Sequence, residues 1–396
     1  MRGAVAPRGG PRGDRPAGPC RPARPHRRIW RAGGDHRARQ LRLFAGARHQ
    51  AGLHLTRRSR PNSGRLRLED VAAAAGVSPA TVSRTLRQPD LVAEATREAV
   101  QAAVARLGYI PDLVAGSLAS VRTGQVAIVV PSLATPAFMG TVRGISDTLL
   151  PMGLQCVLGD RNLSGDNETS LLTSLLGRRA DAVILADTVE SPASRVLLER
   201  CGVPVVETWT LTRDPVDMNV GFDNRAAARA ATRHLVAIGR RRIGMICGPL
   251  QGNVRGRLRR RGFLDAMRSA GLAPDLFAEL PFPPNLGDVD HALQSLMAAA
   301  PDLDAVFCSG DTFAVGALFA AQRRGWAVPG RLAIAGLGDL DLADQVVPAI
   351  SGARIPGYRM GQIAAGMVMR RLGGEAVERR IVDVGFTLAE RASTLG

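Results

Sequence analysis

An all-α helix-turn-helix head followed by a two-lobe α/β core is the fold class this 396-residue sequence predicts. Two observations carry the prediction. Residues 68–87, LEDVAAAAGVSPATVSRTLR, read as two short helices around a Gly-centred turn. From Gln125 onward, short apolar runs alternate with helical stretches.

The head is read first. Leu68, Val71 and Ala72 share one face of a helix at 3.6-residue spacing. Gly76 stands where the chain must turn, a position that favours positive φ. Ser78 offers an N-cap oxygen, and Pro79 sits at the first helical position, where its missing N–H costs nothing. Val82 and Leu86 point inward at i, i+4. Ala80, Thr81, Ser83, Arg84 and Arg87 are left on the outer face. Small groups, hydroxyls and guanidinia on one face form the surface of a helix that reads a DNA major groove. A third helix is expected over 93–107, with Ala95, Ala99, Ala102, Val104 and Leu107 closing the core. Tyr109-Ile110-Pro111-Asp112 breaks it, and a short segment to Ala119 precedes the boundary near Gly124.

In the core, apolar runs at 126–130, 155–158, 182–185, 203–206, 243–247, 305–308 and 332–335 are short, bounded and often β-branched. They read as buried parallel strands with helices between, for example 224–238 and 312–324. About 270 residues of this pattern exceed one compact sheet, so two lobes with a ligand cleft between them are expected.

The formal net charge is +17, with arginine as the sole source of cationic side chains other than histidine. Its distribution is uneven. Residues 1–65 hold 17 arginines against Asp14 and Asp35, so the remaining residues carry an excess of only two. That Arg/Gly/Pro-rich extension has no helical or strand periodicity and cannot bury a core. Residues 1–64 are expected to be either untranslated, the start codon being assigned too far upstream, or a disordered arm adding phosphate affinity. A targeting peptide fits least, because no apolar central region is present. No apolar run is long enough to span a bilayer. The five widely spaced cysteines contain no CxxC pair and read as small hydrophobes in a reducing cytoplasm, with no metal or disulfide frame.

The head motif, the ARLGYIPDLVAGSLA break, PSLATPAF near the first strand and VGFDN before a helix resemble the LacI/GalR family of bacterial repressors. The likeness covers roughly residues 66–390. Within that family RQPD, PVVETW, DAVFCSGD, AIAGLGDLD and VDVGFTL are most similar to gluconate-operon repressors. The resemblance implies a periplasmic-binding-protein-like core that dimerises, double-stranded operator DNA as partner, and a sugar or sugar-acid effector. It divides the chain into a head over 65–111, a hinge helix and linker over 112–124, and an effector-binding core over 125–396. By position, Ser78, Thr81 and Ser83 would touch phosphates or bases, and Arg84 would read guanine. Pro79 and Ala80 offer at most apolar contact, and Arg87 would meet a phosphate. Leu118 would wedge into the minor groove from a hinge too short to be helical alone.

The same resemblance places effectors between the lobes. Arg259 matches the family's ligand arginine, and the other arginines of RGRLRRRG read as a solvated face. Phe282 aligns with an aromatic wall. Ser132, Glu207 and Trp209 fall at C-terminal strand ends, where open α/β sheets bind ligands. The family commonly has Asp at the position of Gly338. Its loss favours an anionic ligand such as gluconate over a neutral sugar, although Asp339 could still reach in. No nucleophile elbow, HExxH motif, phosphate loop or His cluster is present, so neither catalysis nor a cofactor is implied.

Overall fold

The computed structural model describes residues 66–110, 122–163, 165–338 and 340–395. The N-terminal extension, Leu118 with most of the expected hinge, and Asp339 lie outside the described residues.

The head is three helices: α1 Leu68–Ala75, α2 Pro79–Arg87 and α3 Glu94–Leu107. Gly76 ends α1 at φ 69°, the left-handed conformation the turn requires. Ser78 caps α2, accepting the Thr81 amide at 3.1 Å, with Pro79 as first residue. Val71, Ala72, Val82, Val100, Ala103 and Tyr109 form the core, with Leu68, Leu86, Val104 and Leu107 packed against it. This corrects the expected third-helix face. Ala95, Ala99 and Ala102 are exposed. The buried stripe follows Val100, Ala103, Val104 and Leu107, whose i, i+3, i+4, i+7 spacing leaves those three alanines outside it. Tyr109, read as part of a break, closes the core instead.

Among the described residues the core holds two six-stranded sheets. The first lobe contains β1 Gln125–Val130, α4 Met139–Leu149, β2 Gln155–Asp160, α5 Gly165–Gly177, β3 Ala182–Leu185, α6 Pro192–Glu199, β4 Val205–Thr208 and β5 Met218–Gly221. The second contains α7 Asn224–Ala237, β6 Ile243–Cys247, α8 Val254–Ser269, β7 Phe277–Glu279, α9 Leu286–Ala299, β8 Ala305–Cys308, α10 Asp311–Arg323, β9 Ala333–Gly338, the single turn α11 Leu342–Gln345, and β10 Ser351–Arg354. The chain then returns to the first lobe through α12 Gly357–Leu372 and β11 Ile381–Asp383, and ends in the second with β12 Thr387–Ala389.

The sheet orders are β11-β5-β4-β3-β1-β2 and β12-β10-β9-β8-β6-β7. The first is parallel throughout, and in the second only β12 runs antiparallel, against β10. All seven expected runs are strands. Five further strands escaped the reading. Three of them, β7, β11 and β12, are three-residue pieces with half-buried or exposed side chains, so no apolar run marks them.

Three chain crossings join the lobes: after β5, after β10, and between β11 and β12. They place the C-terminal ends of the central strands of both sheets around one cleft, where side chains from each lobe can meet. Cys247 and Cys308 are buried, and Cys156 and Cys201 are half-buried; all four are free thiols.

Candidate functional site

The outer face of α2 keeps its side chains available. Ser78, Pro79, Ala80, Arg84 and Arg87 are exposed, while Thr81 and Ser83 are half-buried. Part of the hydroxyl chemistry is spent locally. Ser78 Oγ lies 2.9 Å from Thr81 Oγ1 in addition to its capping bond. Thr85 is turned inward and donates to the Thr81 carbonyl at 2.9 Å. Among the described residues Arg84 and Arg87 form no ion pair, so both guanidinia are at liberty to meet phosphate or base edges.

A cleft of about 90 Å³ lies between the lobes. Ser132, Phe138 and Leu163 line it from the first lobe, and Arg255, Arg259, Phe282 and Asp311 from the second. Three of the sequence-predicted residues, Ser132, Arg259 and Phe282, therefore converge. Glu207 and Trp209 do not line it. Glu207 is 2% exposed and accepts the Val189 and Val216 amides, both at 2.8 Å. Burial raises its carboxyl above the usual range. Its role is to tie loops after β3 and β4 together.

Trp209 lies behind the cleft wall. Its backbone takes φ 69°, its indole N–H donates to Thr141 Oγ1 at 3.0 Å, and its ring meets Phe138 edge-on at 5.2 Å. Asn224 donates to its carbonyl at 2.8 Å and accepts from Arg259 Nε at 2.8 Å. Trp209 is thus one step removed from Arg259.

Arg259 is 7% exposed. Nε bonds Asn224 and Nη1 donates to the Ser309 carbonyl at 2.6 Å, leaving the buried Nη2 with no hydrogen-bond partner among the described residues. Burial, followed by the charge of Arg255, pushes its guanidinium down to about 9. A buried cation so disfavoured, with a donor unused, is built to receive an acceptor, and an anionic one most of all.

Two expectations about this region are corrected. Arg255, assigned to a solvated face, is buried at 8% exposure and lines the cleft. The i, i+4 spacing from Arg259 turns both inward. The carboxylate lost at Gly338 is also replaced. A Cβ there would lie 2.6 Å from Asp311 Oδ2, so Asp311 occupies the space an aspartate at 338 would need. Among the described residues the cleft is lined by two guanidinia and one carboxylate.

Other charged residues were missed. Asp187, Arg161 and Glu168 are buried behind the cleft; Arg161 meets Glu168 at 2.7 Å and Asp187 at 3.4 Å. Glu190 crosses between lobes, accepting the Val254 amide and Arg257 Nη2, both at 2.9 Å. Asp187, Arg161 and Asp311 all follow a strand end closely. The rule that selected Ser132 would have selected them too. Glu190 carries no such signal.

A head that presents a groove-reading helix, joined to a two-lobe small-molecule receptor, defines a ligand-responsive DNA-binding regulator. Residues 67–112 match the family model described as bacterial regulatory proteins, lacI family, and residues 232–394 match a periplasmic binding protein-like domain. The HTH-type transcriptional regulator GntR of Pseudomonas aeruginosa is 36% identical over 84% of this chain and 96% of its own length. A LacI-family regulator from Silicibacter pomeroyi superposes with TM-score 0.77 at 31% identity, over 83% of this chain and 99% of that one. The lac repressor dimer bound to operator and an anti-inducer superposes with TM-score 0.70 at 25% identity, over 84% of this chain and 100% of that one. The chain belongs to the lacI family of bacterial regulatory proteins and is a DNA-binding transcriptional repressor.

Proposed function

We propose that this repressor controls a sugar-acid catabolic operon in the cytoplasm and that an aldonate such as gluconate releases it from its operator. The observation that supports this reading is the buried Arg259 with Nη2 unpartnered at the cleft wall. A carboxylate satisfies that donor and offsets the charge, whereas a neutral hydroxyl does only the former. Asp311 accepts from ligand hydroxyls on the same wall. Calorimetry with gluconate, other aldonates and neutral sugars tests the assignment. Gluconate is expected to bind and glucose is not; binding of neutral sugars alone rejects it.

Control of DNA follows from two states. As in the lac repressor dimer on its operator, two copies place two heads on one DNA site. Ser78, Thr81, Ser83 and Arg87 contact its backbone, Arg84 reads a base, and Leu118 enters the minor groove. Effector closes the lobes and separates the hinges. Coupling of about 1–3 kcal/mol changes operator affinity by about 5–150-fold. Leu118→Ala is expected to keep gluconate affinity and lose most operator affinity in a gel-shift titration.

A further inference from the structure

Arg255 and Arg259 stand one helical turn apart on the inner face of α8, both about nine-tenths buried and both lining the cleft. Their engagement differs from that of the other buried arginine. Arg161 spends both terminal nitrogens, on Glu168, Asp187 and the Gly252 carbonyl. Arg255 spends only Nε, which donates to Asp187 Oδ2 at 2.9 Å. Among the described residues its two Nη groups hydrogen-bond to nothing. The guanidinium is stacked near two rings, with Cζ 4.6 Å from the centre of Phe138 and 5.9 Å from that of Trp209.

Asp187 is fully committed. Its Oδ1 accepts Thr210 Oγ1 at 3.0 Å and the Thr188 amide at 2.9 Å, and its Oδ2 accepts Arg161 and Arg255. Its charge, with that of Asp311, also acts on Arg259, but it makes no hydrogen bond to that guanidinium. What the two guanidinia at i, i+4 lack among the described residues is an acceptor for their remaining N–H groups, which a bound anion supplies.

We propose that Arg255 is a second anion-binding guanidinium of the cleft, oriented by Asp187 of the opposite lobe, so that the effector's carboxylate is held by two arginines rather than one. This rests on the aldonate reading above and deepens it. Arg255 presents the Nη edge left over when Nε is tethered, a fork suited to a carboxylate. Arg259 adds Nη2 from the adjacent turn. Asp187 follows β3 in the first lobe and Arg255 rides on α8 in the second. The anion site is therefore assembled only when the lobes meet, and filling it stabilises the closed arrangement. Asp187 is a positioning residue in this scheme: it touches Arg255, not the ligand.

The test titrates gluconate and glucose by calorimetry into the full chain and its R255M, R255K and D187N variants, at two salt concentrations. Each variant is first checked for binding to the DNA upstream of its own gene, as evidence of folding. R255M is expected to weaken gluconate binding by about 10- to 100-fold and to flatten its salt dependence. R255K, which keeps the charge but loses the fork, falls between R255M and wild type. D187N weakens gluconate binding, and the Trp209 emission change caused by gluconate shrinks with it; a purely structural role for Asp187 would leave that spectral response intact at saturating ligand. Wild-type affinity for gluconate in both R255M and R255K overturns the two-arginine site while leaving the aldonate reading in place. A wild-type protein that binds glucose and not gluconate overturns the aldonate reading itself.

Discussion

Ser78 joins local stability to the recognition surface. Its Oγ satisfies the Thr81 amide at 3.1 Å, one of the otherwise orphaned donors at the start of α2. Ser78→Ala is expected to destabilise the head by about 1 kcal/mol, read as a lower urea midpoint for the isolated transition of that region. Arg84 carries the opposite balance. It is exposed and forms no ion pair among the described residues, so Arg84→Ala should leave stability unchanged. Its expected cost is about 1–3 kcal/mol of operator affinity with relaxed preference at one base pair, measured by competition between operator variants. For Arg259 the balance lies in protonation. Its folded-state value is depressed from 12.5 to about 9 by burial and by Arg255. Between those limits the unfolded chain binds more protons, so apo stability rises with pH across that window. On the aldonate reading, gluconate affinity is expected to fall at alkaline pH as the cation is lost; calorimetry on both sides of about 9 checks the sign. The residue was legible from its place before Gly262-Phe263, but its missing partner was not, because satisfaction of a donor is decided by distant groups such as Asn224 and the Ser309 carbonyl.

Two helix pairs set the geometry of the core. Helices α4 and α12 cross in the first lobe with Gly144 and Gly361 at the contact. A Cβ on Gly144 would collide with the Tyr358 carbonyl, and one on Gly361 with the Thr141 carbonyl. Helices α7 and α8 repeat the arrangement in the second lobe, where a Cβ on Gly262 would strike the Arg225 carbonyl. Backbone rather than flexible side chain is the obstacle each time, so relief requires the helices to separate. Gly361→Ala is expected to cost about 1–3 kcal/mol in denaturant unfolding. Because α12 leads the chain back between lobes, the same change should also alter the effector response. The strands and long helices of these pairs were readable from apolar runs and periodicity. Their partners were not, since nothing local states that α12 belongs to the lobe of β4 and β5 rather than to that of β10, which precedes it.

At the scale of the whole molecule, charge and function are separated. Residues 1–65 carry 17 arginines against two acids, whereas the recognition face of α2 has only Arg84 and Arg87. Deleting residues 1–64 is expected to lower non-specific DNA affinity and flatten its salt dependence. Operator preference and gluconate affinity should both stay unchanged, as measured by fluorescence anisotropy and calorimetry. The sequence by itself determined the head, its turn and cap, and the alternation that makes an α/β core. These rest on nearest-neighbour backbone preferences and on periodicities of two and 3.6 residues, which are local. Only the tertiary structure decided which strands share a sheet, that Glu207 and Trp209 support the cleft without lining it, and that Arg255 turns inward beside Arg259. It also decided that Asp311 fills the space left by Gly338. These features rest on contacts such as Trp209 with Thr141, Asp311 against Gly338 and Arg255 with Asp187, and contacts across such separations in sequence leave no local periodic trace.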